Sequence, residues 1–197
     1  MEVEVTSPRV AGRRDARRDA IHRAAIEQFA QRGLAGTSMA NIAEAAGMSR
    51  PALYQYFRDK TDIFSSAFVA LFEGLVEQAL SALHQPGSTV EQLDGFLQRY
   101  EGDLWERMAT SPYAEEIVRS KNAEVVTAVT AVVARLSDGL TSYLEPRSSN
   151  VQARAEYVEL LRWSPKGFTY DRPSVETFRR RLTALARVVA ASLDVSS

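Results

Sequence analysis

The sequence has no cysteine among its 197 residues. That excludes a disulfide framework, a thiolate metal site and a cysteine nucleophile. It fits a reducing compartment, and the cytoplasm is the expected location. Histidine is scarce: His22 and His84 lie far apart on different predicted helices, and each is expected at the surface or at a helix end. No run approaches the ~18 consecutive apolar residues of a membrane span, and residues 1–18 lack the apolar core of an export signal, so no membrane association is expected. Gly-rich phosphate loops, H-E-x-x-H and G-x-S-x-G are absent. The adjacent Glu115 and Glu116 diverge on a helix and make a poor acid/base pair. An enzyme, a metal site and a cofactor are therefore not expected.

Net charge is also nearly absent, at a formal −1, but its distribution is uneven. Arg9, Arg13, Arg14, Arg17 and Arg18 face only Asp15 within ten residues. Residues 1–60 hold ten Lys/Arg against seven Asp/Glu, and the remainder holds fourteen against eighteen. A basic head on a mildly acidic body is the pattern of a chain whose head alone meets phosphate. A solvated arm gives the same pattern, so residues 1–14 are read as a disordered basic arm.

What the sequence has in abundance is helical periodicity, with no convincing strand run, so the fold class is all-α with about nine helices. A helix is predicted over 17–32, with Ile21, Ala24, Ala25 and Phe29 on one stripe and Gly33 as its stop. A short second helix follows a Thr37 or Ser38 cap, buries Met39, Ile42, Ala43 and Ala46, and ends at Gly47. A third starts after Ser49 with Pro51 in its first turn and points Leu53 and Phe57 inward. A long helix begins near Asp59 or Thr61. Further helices are predicted over 89–109, 113–121, 123–145, 149–164 and 174–194, most of them bounded by prolines. The sequence leaves open whether Pro165 breaks or kinks its helix.

Residues 38–57 carry the functional signal. Two short helices joined by a tight Gly47-Met48 turn form a helix-turn-helix, whose second helix enters the major groove N-terminus first. Arg50 at the tip reaches a guanine edge or a phosphate. Pro51 and Ala52 offer apolar contact to a thymine methyl. Tyr54, Gln55 and Tyr56 offer polar tips, and Thr37, Ser38 and Lys60 sit at helix starts where phosphate is attracted.

These residues resemble the tetracycline-repressor (TetR) family of regulators. The resemblance runs from about Asp15 to Leu75 through Ala24, Ala25, Phe29 and Gly33; Thr37-Ser38; Ile42-Ala43; Ala46-Gly47-Met48-Ser49; and Leu53-Tyr54, Phe57 and Lys60. Tyr56 stands where the family often has histidine, and it keeps a polar tip. The resemblance implies a head at about 15–75 and a larger effector-binding and dimerisation domain over 76–197. It implies a homodimer on palindromic operator DNA, DNA contacts from Arg50, Pro51, Ala52, Tyr54, Tyr56 and Lys60, and release by a small molecule. Residues 157–193 resemble the last two family helices, which pair with their twins.

Two further sets of residues follow. Tyr157, Leu161, Val175, Phe178, Leu182, Leu185 and Val189 form a seam suited to the dimer interface or, equally in pattern, to the chain's own core. Phe72, Tyr100, Leu104, Tyr113, Ile117 and Trp163 are the candidate pocket for an apolar or aromatic effector; ordinary core packing would use the same residue types. The function expected is a sequence-specific DNA-binding regulator, a repressor released by an effector. The competing reading is a small-molecule-binding helical protein or enzyme whose head does not read DNA.

Overall fold

A computed structural model describes residues 8–195, with side chains described over 14–193. The fold is all-α: no strand occurs among the described residues. The chain divides into two compact units, one running through Ala70 with Pro112–Val125 added, the other formed by Leu71–Ser111 and Val126–Ser197.

The first unit opens with α1 (Pro8–Gly36). This helix begins earlier than expected, so residues 8–14 of the anticipated disordered arm are helical. Pro8 suits a first turn and Ala11 and Ala16 favour helix. The side chains of Arg9 and Arg13 and all of residues 1–7 lie outside the described residues. Ile21, Ala25 and Phe29 are buried along one stripe of α1. They meet Ile42 and Ala43 from α2 (Met39–Ala45), Leu53 from α3 (Arg50–Leu53), Phe57, and Ile63 and Phe64 from the start of α4 (Lys60–Ala82) in one core. Phe29 and Phe64 pack edge to face at 5.6 Å, and each such buried side chain contributes about 1.5–3 kcal/mol.

The short helix α7 (Ala114–Arg119) also belongs to this unit and packs on α1. From the sequence it falls in the C-terminal domain. A polar contact explains its place: the backbone N–H of Ala35 donates to Glu116 Oε1 at 3.1 Å. The helical path of α1 is broken at Gly33, with φ 71° and ψ 169°. A Cβ there would come within 2.5 Å of Glu116 Oε2 and 2.8 Å of Tyr113 Cδ1.

In the second unit, α5 (Thr89–Leu97), a π-helical turn (Gln98–Gly102) and α6 (Asp103–Thr110) follow one another without interruption. They match the single helix expected over 89–109, apart from the extra residue of the π turn. α10 (Val175–Val195) packs along all three and also touches α9 (Val151–Gly167). α9 runs through Pro165 to Gly167, so this proline does not end the helix. α8 (Ala123–Leu144) adds Leu136 and Leu140 to the core.

Lys60–Ala82 and Ala123–Arg147 are long and apolar enough, by length and composition, to cross a membrane. Counting uninterrupted apolar residues misses both, because Glu73, Glu77, Arg135 and Asp138 interrupt them. In α4 the apolar side chains Ile63, Phe64, Ala67, Phe68, Phe72, Leu75 and Val76 are buried inside the protein, as in a core helix.

Gly33 and Gly47 separate two kinds of glycine requirement. Both have positive φ, but Gly47, at 64°, has open space around it. Gly47→Ala is expected to lose only the ~1–2 kcal/mol of a left-handed alanine. Gly33→Ala should lose clearly more, because Glu116 and Tyr113 must also move. Urea unfolding of the two variants checks the order.

Candidate functional site

The helix-turn-helix is built from local hydrogen bonds. Ser38 is the N-cap of α2: its Oγ accepts from Asn41 N–H at 3.2 Å, and its own N–H donates to Asn41 Oδ1 at 3.0 Å. This closes a reciprocal capping box with asparagine in the usual glutamate position. At the other end, Met48 N–H donates to Ala43 O at 2.9 Å and Gly47 N–H donates to Glu44 O at 3.0 Å. This paired closure around a left-handed glycine is a Schellman motif, and it sets the direction in which the chain leaves α2. Ser49 then caps α3 by accepting from Ala52 N–H at 3.3 Å. With Leu53 fully buried, Arg50, Pro51, Tyr54 and Gln55 are left exposed on the opposite side of the α3 turn, while Ala52 and Tyr56 are half-buried. Arg50 Nη2 donates to Tyr54 Oη at 3.2 Å, so the guanidinium and the phenol are held together at the exposed tip.

Two of the expected DNA contacts are placed differently. Thr37 is buried, and its hydroxyl donates to Gly33 O at 2.7 Å. Lys60 Nζ donates to the backbone carbonyls of Leu34 at 2.5 Å, Thr37 at 2.8 Å and Ala35 at 3.4 Å. Both side chains hold the passage from α1 to α2. A helix C-terminus leaves carbonyls without intrahelical partners, and an ammonium with three donors reaches two of them and the Thr37 carbonyl that follows. Spacing alone does not distinguish a lysine turned inward to carbonyls from one turned outward to phosphate.

His22 departs from its expected surface position. It is half-buried, its Nε2 lies 2.8 Å from Ser66 Oγ, and its ring lies 5.6 Å from that of Phe57. Arg18 stacks over the same phenyl ring at 4.7 Å. Burial lowers the His22 pKa below 6.5, and the Arg18 charge adds to that, while Asp19 opposes it.

The effector and dimer candidates are also redistributed. In the second unit Tyr100 and Trp163 border a cavity of about 20 Å³. Phe96, Val133, Leu136 and Leu161 are its apolar walls, and Glu101, Arg162 and Lys166 its charged groups. Tyr113 and Ile117 belong to the first unit instead, with Tyr113 beside Gly33. Phe72 is buried and Leu104 half-buried, and neither borders this cavity. Glu101, which directly follows Tyr100, is not among the residues expected from the sequence, because the candidates there are aromatic and aliphatic side chains.

In the dimer seam, Leu161, Phe178, Leu182 and Val189 are buried within the single chain, and Tyr157, Val175 and Leu185 are half-buried. Phe178 packs on Trp105 at 5.3 Å between ring centroids. The four buried residues close the second unit's own core and are not available to a partner. The sides of α9 and α10 left outward carry Leu160, 46% exposed, and Val188, 64% exposed.

Comparison with known proteins decides the family of the head. Residues 21–67 match the model of the family described as bacterial regulatory proteins, tetR family. The head of this chain, over residues 21–67, is of the TetR type. The transcriptional regulator AcrR of Shigella flexneri is 49% identical over 41 residues, 21% of this chain and 19% of its own length. The transcriptional repressor KstR2 of Mycobacterium tuberculosis is 27% identical over 153 residues, 78% of this chain and 68% of its own. The first of these matches thus spans about a fifth of the relative's length. The crystal structure of the regulator FadR from Bacillus subtilis in complex with stearoyl-CoA shares the fold, at a TM-score of 0.53 and 20% identity, over 88% of this chain and 96% of that one.

Lys60→Ala is expected to lower the stability of the TetR head by ~1 kcal/mol, the low end of the loss for carbonyls left unpaired, because these are only partly buried. It should leave the slope of log affinity against log salt unchanged, whereas a lost phosphate contact would reduce that slope by about 1. Thermal unfolding and DNA titrations at several salt concentrations read the two effects separately. His22 predicts a pH dependence. A group whose folded pKa lies below its unfolded 6.5 binds its proton more readily in the unfolded chain, so stability falls as pH drops below that value. The melting temperature should decline on acidification through this window, and His22→Gln should flatten the decline.

Proposed function

We propose that this chain is a DNA-binding transcriptional regulator, acting as a repressor that a small molecule releases from its operator. The observation that carries this reading is the outward set Arg50, Pro51, Tyr54 and Gln55 on a helix fixed by the Gly47 turn and the Ser49 cap. Arg50 reads a guanine edge or a phosphate, Pro51 and Ala52 meet a thymine methyl, and Tyr54, Gln55, Tyr56 and Ser38 donate to phosphate. Lys60 and Thr37 position this surface from behind. The KstR2 relative supports the repressor sense.

A homodimer places two α3 segments in successive major grooves of a palindromic operator, one helical turn or slightly more apart. Its interface uses the outward sides of α9 and α10, including Leu160 and Val188. The effector lies in the helical body, where Tyr100 and Trp163 border the cavity; that a protein of this fold takes a small molecule is supported by the FadR complex with stearoyl-CoA. Binding favours a state whose heads are wrongly spaced, which requires different effector affinities in the two states.

The test is binding to duplex DNA from immediately upstream of the protein's own gene, across a salt series and against random duplex. Tight, competitor-resistant binding that falls steeply with salt is expected. Arg50→Ala should lose ~1–3 kcal/mol and relax discrimination at one base position if it reads a base. Tyr54→Phe should weaken all sequences alike. Unchanged affinity in both variants overturns this assignment of the contacts.

A further inference from the structure

The cavity of the second unit contains a charge asymmetry that bears on its ligand. Glu101 points into it from the π turn with a side chain only 10% exposed, and its partner is Lys166, Nζ to Oε1 3.2 Å, with a side chain 53% exposed. Burial raises the Glu101 pKa above that of an ordinary glutamate, and the charge of Lys166 works against that rise. The carboxylate is therefore fixed in the protein's interior, while its counter-ion is a flexible ammonium already half in water.

The two halves of this pair are not equally replaceable. A ligand cation entering the cavity takes the carboxylate, and Lys166 moves into solvent, where an ammonium is well hydrated. The buried charge stays compensated throughout. A ligand anion must instead draw Lys166 or Arg162 to itself and leave the buried carboxylate alone, the expensive half of a broken ion pair. The walls agree with a cation: Phe96 and Tyr100 supply aromatic surface, and Trp163 already has the Arg162 guanidinium 5.3 Å from its ring centroid.

The space present, about 20 Å³, suits roughly one water molecule, so an organic ligand has to displace the rim. Trp163 and Lys166 are both rim residues and both exposed, so they swing outward without disturbing the buried core. The π turn that presents Tyr100 and Glu101 is braced at both ends by Arg179, which reaches Gln98 Oε1 at 3.1 Å and Asp103 Oδ1 at 2.8 Å. The carboxylate is thus held in place while the rim moves.

We propose that this cavity takes an apolar aromatic molecule bearing a protonated amine, whose ammonium replaces Lys166 on Glu101. The proposal rests on the reading of the helical body as the effector-binding part. It separates the effector class from anionic acyl thioesters such as the one in the FadR structure.

The experiment is isothermal titration calorimetry of the full-length protein at neutral pH with three matched probes: 2-naphthylmethylamine, 2-naphthylmethanol and 2-naphthoate. The amine should bind at least about tenfold more tightly than the other two. Glu101→Gln should abolish that preference. Lys166→Ala should strengthen amine binding, because it removes the competing ammonium, and it serves as the second variant if the Glu101 change does not fold. Tightest binding by the carboxylate, or weaker amine binding in Lys166→Ala, overturns the proposed class and leaves the cavity as an effector site. Absence of saturable binding by all three probes, to the wild type and to Lys166→Ala, overturns both the class and this cavity as the effector site.

Discussion

The head depends on how the chain passes from its first helix to its second. Over residues 33–38 the polypeptide leaves a helix whose final carbonyls have no partners, breaks direction at Gly33 and enters the capped start of α2. From the start of α4, Lys60 holds two of those carbonyls, Leu34 and Ala35, and that of Thr37 just beyond; Thr37 returns its hydroxyl to Gly33 O, and Glu116 takes the Ala35 N–H. A cation from α4, a carboxylate from α7 and the stretch's own Thr37 hydroxyl thus converge on five backbone groups of four residues. The Thr37 bond is buried and two of the Lys60 bonds are partly so, and polar groups taken out of water are costly unless paired, so this set limits the freedom of the backbone at that point. The position of Ser38 and α2, and through the Gly47 turn that of α3, follows from it. The surface proposed to read DNA is positioned by side chains that make their bonds internally.

The helical body follows a different rule. Its core is closed by the apolar seam of α10 against α5, the π turn and α6, with Phe178, Leu182, Ala186 and Val189 all buried. Arg179 on the same helix sends its guanidinium to Gln98, Asp103 and Glu106. An extra residue wound into a helix commonly marks a functional site, and here the π turn carries the body's buried carboxylate. The proposed dimer surface is what remains once this core has taken its share.

Much of this was legible in the sequence. The three-and-four spacing of Ile21, Ala25, Phe29, Ile42, Leu53, Phe57 and Phe64 marked the head's core. Gly33, Gly47 and Ser49 fell at their stops and cap for stereochemical reasons that any single sequence exposes. Thr37 and Lys60 were misplaced because residue type and position show what a side chain can bond, not whether backbone or phosphate lies nearer. The α10 seam was ambiguous because a helix facing its own core and a helix facing a twin share one periodicity. Glu116 and the recruitment of α7 to the head were invisible, since a hydrogen bond between residues 35 and 116 leaves no local trace. Glu101 was hidden for the opposite reason: a lone acid in a helix reads as solvated until its surroundings are known.

On the proposed function, α3 sits in the major groove and reads base edges through its outward side chains. Methylation protection on a duplex recovered from a genomic-fragment selection tests it most directly, because guanine N7 is displayed in the major groove alone. N7 protection is expected in two half-sites about one helical turn apart, with loss of one protected guanine per half-site when Arg50 is replaced by alanine. Protection confined to the minor groove, or a selected duplex with no protected N7, would contradict it.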